Sequence, residues 1–305
     1  NGGFYSDGQR QELTDAALKL SYDFSKDTIE LADSVARFGE TVFPLSGGII
    51  DLDRLPEGPS FGKGFGIDLV VTDGRANVPT AGETPFPFFL KGYGRYLVDE
   101  NMLQLDTVDA STPGGNMRGK LQIRFGGTGP EIRFNAEVQN MATSVVKQLW
   151  PYWIASKPRQ WVLENLYGGT IPRGTIDVFI PQNRLSIDPK PVRLNADELK
   201  IGFDLEDARL NLTGELPPLR DVYGRFDMLG ERVDVDIRSA GSFFPSGRMV
   251  NLDRGKLVLQ NAYEKPLMAD LELDVSGAAD AVAELVSFKP IEALRTVDFK
   301  ADDFA

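Results

Sequence analysis

Apolar and polar residues alternate along most of the chain with a period of two, which places successive side chains on opposite faces of a strand. Leu18, Leu20 and Tyr22 alternate with Lys19, Ser21 and Asp23, and Ile29, Leu31 and Val35 follow a polar turn. Residues 1–15 are polar and Gly-rich and read as frayed at their start. Ile67, Leu69 and Val71 form a further strand, and Asp73-Gly74 reads as the tight turn that ends it. The Pro- and Gly-rich stretch 51–64 reads as a loop, and 78–89 as a linker or edge crossing. Strands resume at 91–98, 102–108 and 115–125.

The period changes once in mid-chain. Ile132, Phe134, Ala136 and Val138 alternate with Arg133, Asn135 and Glu137; then helical spacing takes over at 143–150, and Pro151 stops it. A second short helix is predicted over 157–167, with Pro158 at its start and Gly168-Gly169 at its end. Strand alternation returns with Ile176, Val178 and Ile180. All three tryptophans, Trp150, Trp153 and Trp161, fall inside this insert. Large aromatics contribute mainly through buried area, which favours a packing plug over a ligand gate.

A long β series follows, in short, evenly spaced strands. Leu199, Ile201, Phe203 and Leu205 lead to Leu210 and Leu212, then Phe226 and Met228. Val233, Val235 and Ile237 face away from Asp234, Asp236 and Arg238, and Leu271, Leu273 and Val275 face away from Glu272 and Asp274. The stretch 271–290 passes from strand to short helix to proline, as 132–151 does, and 90–121 loosely repeats 18–49. These likenesses suggest a large repeat of β meander plus helical insert. The expected division is a first β segment at 1–140, the Trp-rich insert at 141–170 and a second β segment at 171–305.

Strands with one apolar face must bury it, and three short helices are too few to cover a dozen strands. Two closures satisfy that demand: a second sheet packed face to face, or a curled trough whose interior holds an apolar ligand.

Composition narrows the chemistry. The chain of 305 residues has no cysteine and no histidine. Thiolate nucleophiles, Ser-His-Asp triads and Cys- or His-ligated metals are therefore impossible, and no metal or cofactor is expected. Its net charge of −12, dispersed rather than blocked, argues against nucleic acid as a partner. The carboxylate pairs Asp51/Asp53, Asp99/Glu100, Glu206/Asp207 and Asp234/Asp236 are candidates for a glycosidase pair, but each falls in a turn or on a polar strand face. Gly62, Gly64 and Gly66 precede a strand rather than a helix, so they do not form a nucleotide loop. The Asn211-Leu212-Thr213 sequon is too common a match to weigh. A non-enzyme is expected. No apolar run is long enough for a transmembrane helix. The first residue is not Met, which suggests a fragment of a longer protein.

The run from Gln148 to Ile176 resembles the central region of the AsmA-like superfamily, nearest to its YhdP-type branch. There a Trp-Pro pair precedes an Arg-x-Trp, then Asn, then Gly; the counterparts are Trp150-Pro151, Arg159, Trp161, Asn165 and Gly168. The element at 271–290 is similar to a recurring one of that family. The resemblance implies an elongated, curved antiparallel sheet forming an apolar trough, as in repeating β-groove, bridge-like lipid transfer proteins. It further implies a periplasmic segment of a protein anchored in the inner membrane of a Gram-negative bacterium, its anchor outside this chain. Its ligand would be phospholipid or another acyl-chain lipid, and inner- and outer-membrane proteins are possible partners. On this reading Leu18, Leu20, Ile67, Leu69, Ile132, Phe134, Ile176, Val178, Leu199, Ile201, Phe203, Val233, Val235, Ile237, Leu271 and Leu273 line the groove. The tryptophan insert caps or gates it. The alternative is a closed β-sandwich serving as an envelope assembly module.

Overall fold

A computed structural model describes residues 2–6, 9–150, 156–185, 193–212, 214–264, 268–289, 291–293 and 301–304. Pro151, Trp153 and Pro290 lie outside the described residues, as does Thr213 of the sequon. The described residues form one curved, open antiparallel sheet of seventeen strands, with three α-helices.

The first nine strands are β1 (Gly2–Ser6), β2 (Gln9–Ala17), β3 (Leu20–Asp23), β4 (Thr28–Phe38), β5 (Thr41–Asp51), β6 (Gly64–Ala76), β7 (Phe86–Leu97), β8 (Met102–Thr112) and β9 (Gly115–Arg124). β10 (Glu131–Ala142) then enters the insert, α1 (Thr143–Leu149) and α2 (Ser156–Asn165). The two-residue β11 (Leu166–Tyr167) is followed by β12 (Thr170–Ile180), β13 (Leu199–Leu210), β14 (Leu219–Leu229), β15 (Arg232–Phe243), β16 (Met249–Leu259) and β17 (Asp270–Gly277). α3 (Ala279–Ser287) follows β17.

Pairing is a meander in chain order, from β1–β2 through to β16–β17. Two short strands share a neighbour: β2 and β3 lie end to end along β4, and β11 and β12 do the same along β13. The residues expected to fray at the start include β1 and the first part of β2, paired with each other.

Most strands are longer than their sequence pattern suggested, because bulges interrupt the alternation without ending the strand. Asp33, Asp73, Asp207 and Asp221 take left-handed backbone, with φ of 48°, 56°, 54° and 51°. Each sits where the pairing register slips. Asp73-Gly74 is therefore no turn; β6 continues through it to Ala76. Aspartate suits the position because its short polar side chain tolerates αL. Bulges bend the strand and raise its twist, which is the origin of the sheet's curvature.

The register gives one face an unbroken apolar row. Leu20, Leu31, Gly47, Leu69, Gly92 and Val108 stand side by side on neighbouring strands. The row continues through Gly119, Ala136, Ile176, Ile201, Met228 and Val233 to Leu259. At ~4.8 Å per strand it spans about 60 Å around the curve. The other face carries ion pairs such as Arg118–Asp109 at 2.8 Å and Arg254–Asp274 at 2.7 Å.

The main core lies on the inner face of β12 to β16, under α1 and α2. A second cluster, including Leu216, Phe244, Val250 and Leu285, holds α3.

Candidate functional site: the inner face and its helical insert

The insert is fastened by polar groups that reach far along the chain. Lys147, only 1% exposed, donates to Glu83 at 2.9 Å and has its ammonium 4.3 Å from the centre of the Tyr167 ring. The next residue, Gln148, donates to the Thr84 carbonyl at 2.8 Å and accepts from the Val78 N–H. α1 is thereby tied to the β6–β7 connection. The Ala142 N–H donates to Gly114 in the β8–β9 turn, and the Thr143 N–H to Gly169.

Arg159 completes the insert from within. Its Nε donates to the Trp150 carbonyl at 3.0 Å and its guanidinium also reaches the Lys147 carbonyl, so it caps carbonyls that the end of α1 leaves unpaired. Burial pushes its pKa below the ordinary arginine value. Asn165 Nδ2 donates to the Trp161 carbonyl, and the Asn165 carbonyl accepts from Asn211. Of the positions singled out in the sequence, Arg159 thus ties the two helices together and Asn165 ties the end of α2 to the residue after β13.

Beneath the helices, Val146, Trp150, Trp161, Val162 and Leu166 face Phe203, Phe226, Val235 and Ile237 across an almost wholly apolar pocket. Its free space is about 30 Å³, room for little more than a water. Phe203 and Phe226 stack with ring centres 6.3 Å apart. This end of the trough is filled by side chains.

The expected groove residues divide accordingly. Val178, Leu199, Ile201, Phe203, Val233, Val235 and Ile237 are buried in the main core. Ile67, Leu69, Ile132, Phe134, Ile176 and Leu273 are half-buried, while Leu18, Leu20 and Leu271 are exposed. Trp150 is buried and Trp161 half-buried against the core. The inner face is thus filled over β12 to β16 and only half-covered over β3 to β9, where a small cluster of Val71, Ala76 and Phe88 fills the end nearest the insert. Glycines make room for neighbouring side chains in both parts; Gly74 lies under the Phe88 ring. A side chain at Gly174 would collide with the Phe203 ring, and Gly255 is roofed by Leu252, Leu273 and Ile237. Gly92 meets only the tip of Leu105.

Three of the four carboxylate pairs have a member with a structural post. Asp51 accepts from the Asp53 N–H, Asp207 forms a bulge, and Asp234 pairs with Arg232 at 2.6 Å. Among the described residues no group of three potential ligands could hold a metal, and no helix is long and apolar enough to cross a membrane.

Sequence reasoning missed the latch of Lys147, Gln148 and Glu83. Glu83 sits 64 residues from Lys147, and only the lysine on an otherwise apolar helical face gave a signal. It also missed a row of aromatics at one end of the strands. Phe65 pairs across β6–β7 with Tyr96, and the Tyr96 ring lies 6.5 Å from Phe125. At the β3–β4 turn of the same rim, Tyr22 and Phe24 meet edge to face at 4.8 Å.

No family model, curated protein or solved structure matches the chain.

Proposed function

We propose that this chain is a segment of a bridge-like carrier that holds acyl-chain lipids, phospholipids above all, against the inner face of its sheet. The observation that carries the reading is the part of the apolar row outside the helical insert, from Leu20 to Val108, which each strand from β3 to β8 continues. An acyl chain gains ~0.8 kcal/mol per buried CH₂, so a 16-carbon chain gains on the order of 10 kcal/mol in such a trough. No reacting group is required; a continuous apolar path suffices. The resemblance of 148–176 to the AsmA-like superfamily supports the same reading. It adds the periplasm as compartment, transit between inner and outer membrane as task, and membrane proteins at either end as partners. A sandwich-type assembly module would need two packed sheets, and the described residues form one.

Native mass spectrometry with organic extraction tests the proposal. Substitutions belong in the open part, because Ile201 and Val235 are core residues whose change to Asp would unfold the sheet. Leu69→Asp with Leu105→Asp should abolish bound phospholipid and leave the circular dichroism unchanged. Lipid-free wild-type protein would refute the reading.

A further inference from the structure

We propose that lipid lies along the strands of the open part in one orientation, polar head at the aromatic rim and acyl ends against the helical insert. The inference rests on the lipid-carrying reading and adds where the ligand sits and which way it points.

The two strand ends of the open part differ in chemistry. At one end β3–β4, β5–β6, β7–β8 and β9–β10 turn, and there tyrosines gather with phenylalanines, whereas Phe38, Phe43 and Phe88 at the other end pack edge to face on one another. Phe24 is 87% exposed, and Tyr22, Phe65 and Phe125 are exposed beside it along the rim. The Tyr22 hydroxyl donates to Asp27 and the Tyr96 hydroxyl to Asn101, so the polar tips of these rings point to the turns. Rings with an apolar body and a wet tip gather where an apolar phase meets water, the boundary that the glycerol region of a lipid also occupies.

The opposite end is closed over β6 to β9. The β6–β7 connection and the β8–β9 turn are tied to α1 through Lys147–Glu83, Gln148–Thr84 and Ala142–Gly114. Val146 and Leu149 of α1 pack on the core together with Phe86 of β7 and Met117 of β9. Side chains fill the space behind this wall, so an acyl chain stops at it.

Between the ends the floor favours acyl chains over a peptide. It is made of Leu31, Ile67, Leu69, Leu105, Val108 and Leu121 around Gly92, and its backbone groups are engaged in the ladder. An extended peptide lying there would bury its own N–H and C=O groups without partners; an acyl chain has none.

The chain carries its own reporter, since its three tryptophans all lie in the insert. Protein is loaded with phosphatidylcholine brominated near the methyl end of the chain, or near the ester, or unbrominated, and binding is counted by native mass spectrometry. We expect methyl-end bromine to cause the larger loss of tryptophan fluorescence, retained in Trp153→Phe and reduced in Tyr96→Ser with Phe125→Ser as lipid is lost. Equal loss with both labels, or the larger loss with ester-end bromine, overturns the orientation. So does bound lipid that quenches with neither label. Absence of bound lipid in the mass spectrum instead refutes the lipid-carrying reading itself.

Discussion

At the scale of single residues, burial separates inner-face side chains that hold the fold from those that cover an open floor. Phe226→Ala removes a stacked, buried ring and should cost about 3–5 kcal/mol, whereas Leu105→Ala on the half-buried floor should cost about 1 kcal/mol. Urea unfolding of both variants checks the division; equal losses would mean the two halves are equally filled. Glu83→Gln leaves the Lys147 ammonium buried without its countercharge. Because Glu83 keeps some solvent contact, a loss of about 2 kcal/mol is expected rather than the full penalty of a buried pair. Replacing the pair together, Lys147→Met with Glu83→Leu, should recover much of that loss. Alternation told which residues share a face, and it placed Leu199, Ile201 and Val235 beside Leu20 and Leu69. It held no information on what lies above them, because that depends on where α1 and α2 fold back.

At the scale of elements, the three helices and the strand-to-helix junctions were legible because their punctuation is local. α1 and α3 both leave an extended alanine, Ala142 or Ala278, and both end on an extended aromatic, Trp150 or Phe288. The bulges were not legible, since an Asp-Gly or Asp-Ala step reads equally as a turn. Asp73→Ala forces an alanine into φ of 56° and should destabilise the protein by about 1 kcal/mol, with Asp73→Gly close to neutral. α3 is held by Arg248, which binds Asp280 at 2.6 Å, Glu284 at 3.0 Å and Asp302. The guanidinium lowers the Asp280 carboxyl below its ordinary 3.8. A depressed pKa contributes stability above the unfolded value and loses it as pH falls through the folded one. Protection of the α3 amides, taken relative to an unstructured chain at the same pH, should therefore fall below about pH 4. Arg248→Gln should exchange fast at neutral pH and lose most of that dependence; an unchanged profile would place the anchor elsewhere.

At the scale of the whole molecule, short helices could not cover so many one-sided strands, and that mismatch already limited the answer to two closures. The structure has one curved sheet, and its bulges supply the bend that periodicity alone does not reveal. The asymmetry along the trough, open before β10 and filled after it, arises from contacts across 64 to 70 residues, beyond the reach of local pattern. An uncovered apolar floor before β10 is what the carrier reading needs, and occupancy is its direct test. Native mass spectrometry of the purified protein, with extraction of what co-purifies, should find phospholipid at defined stoichiometry, lost on Leu69→Asp with Leu105→Asp while the fold persists. A folded wild-type protein that carries no lipid and takes none from vesicles would contradict the account.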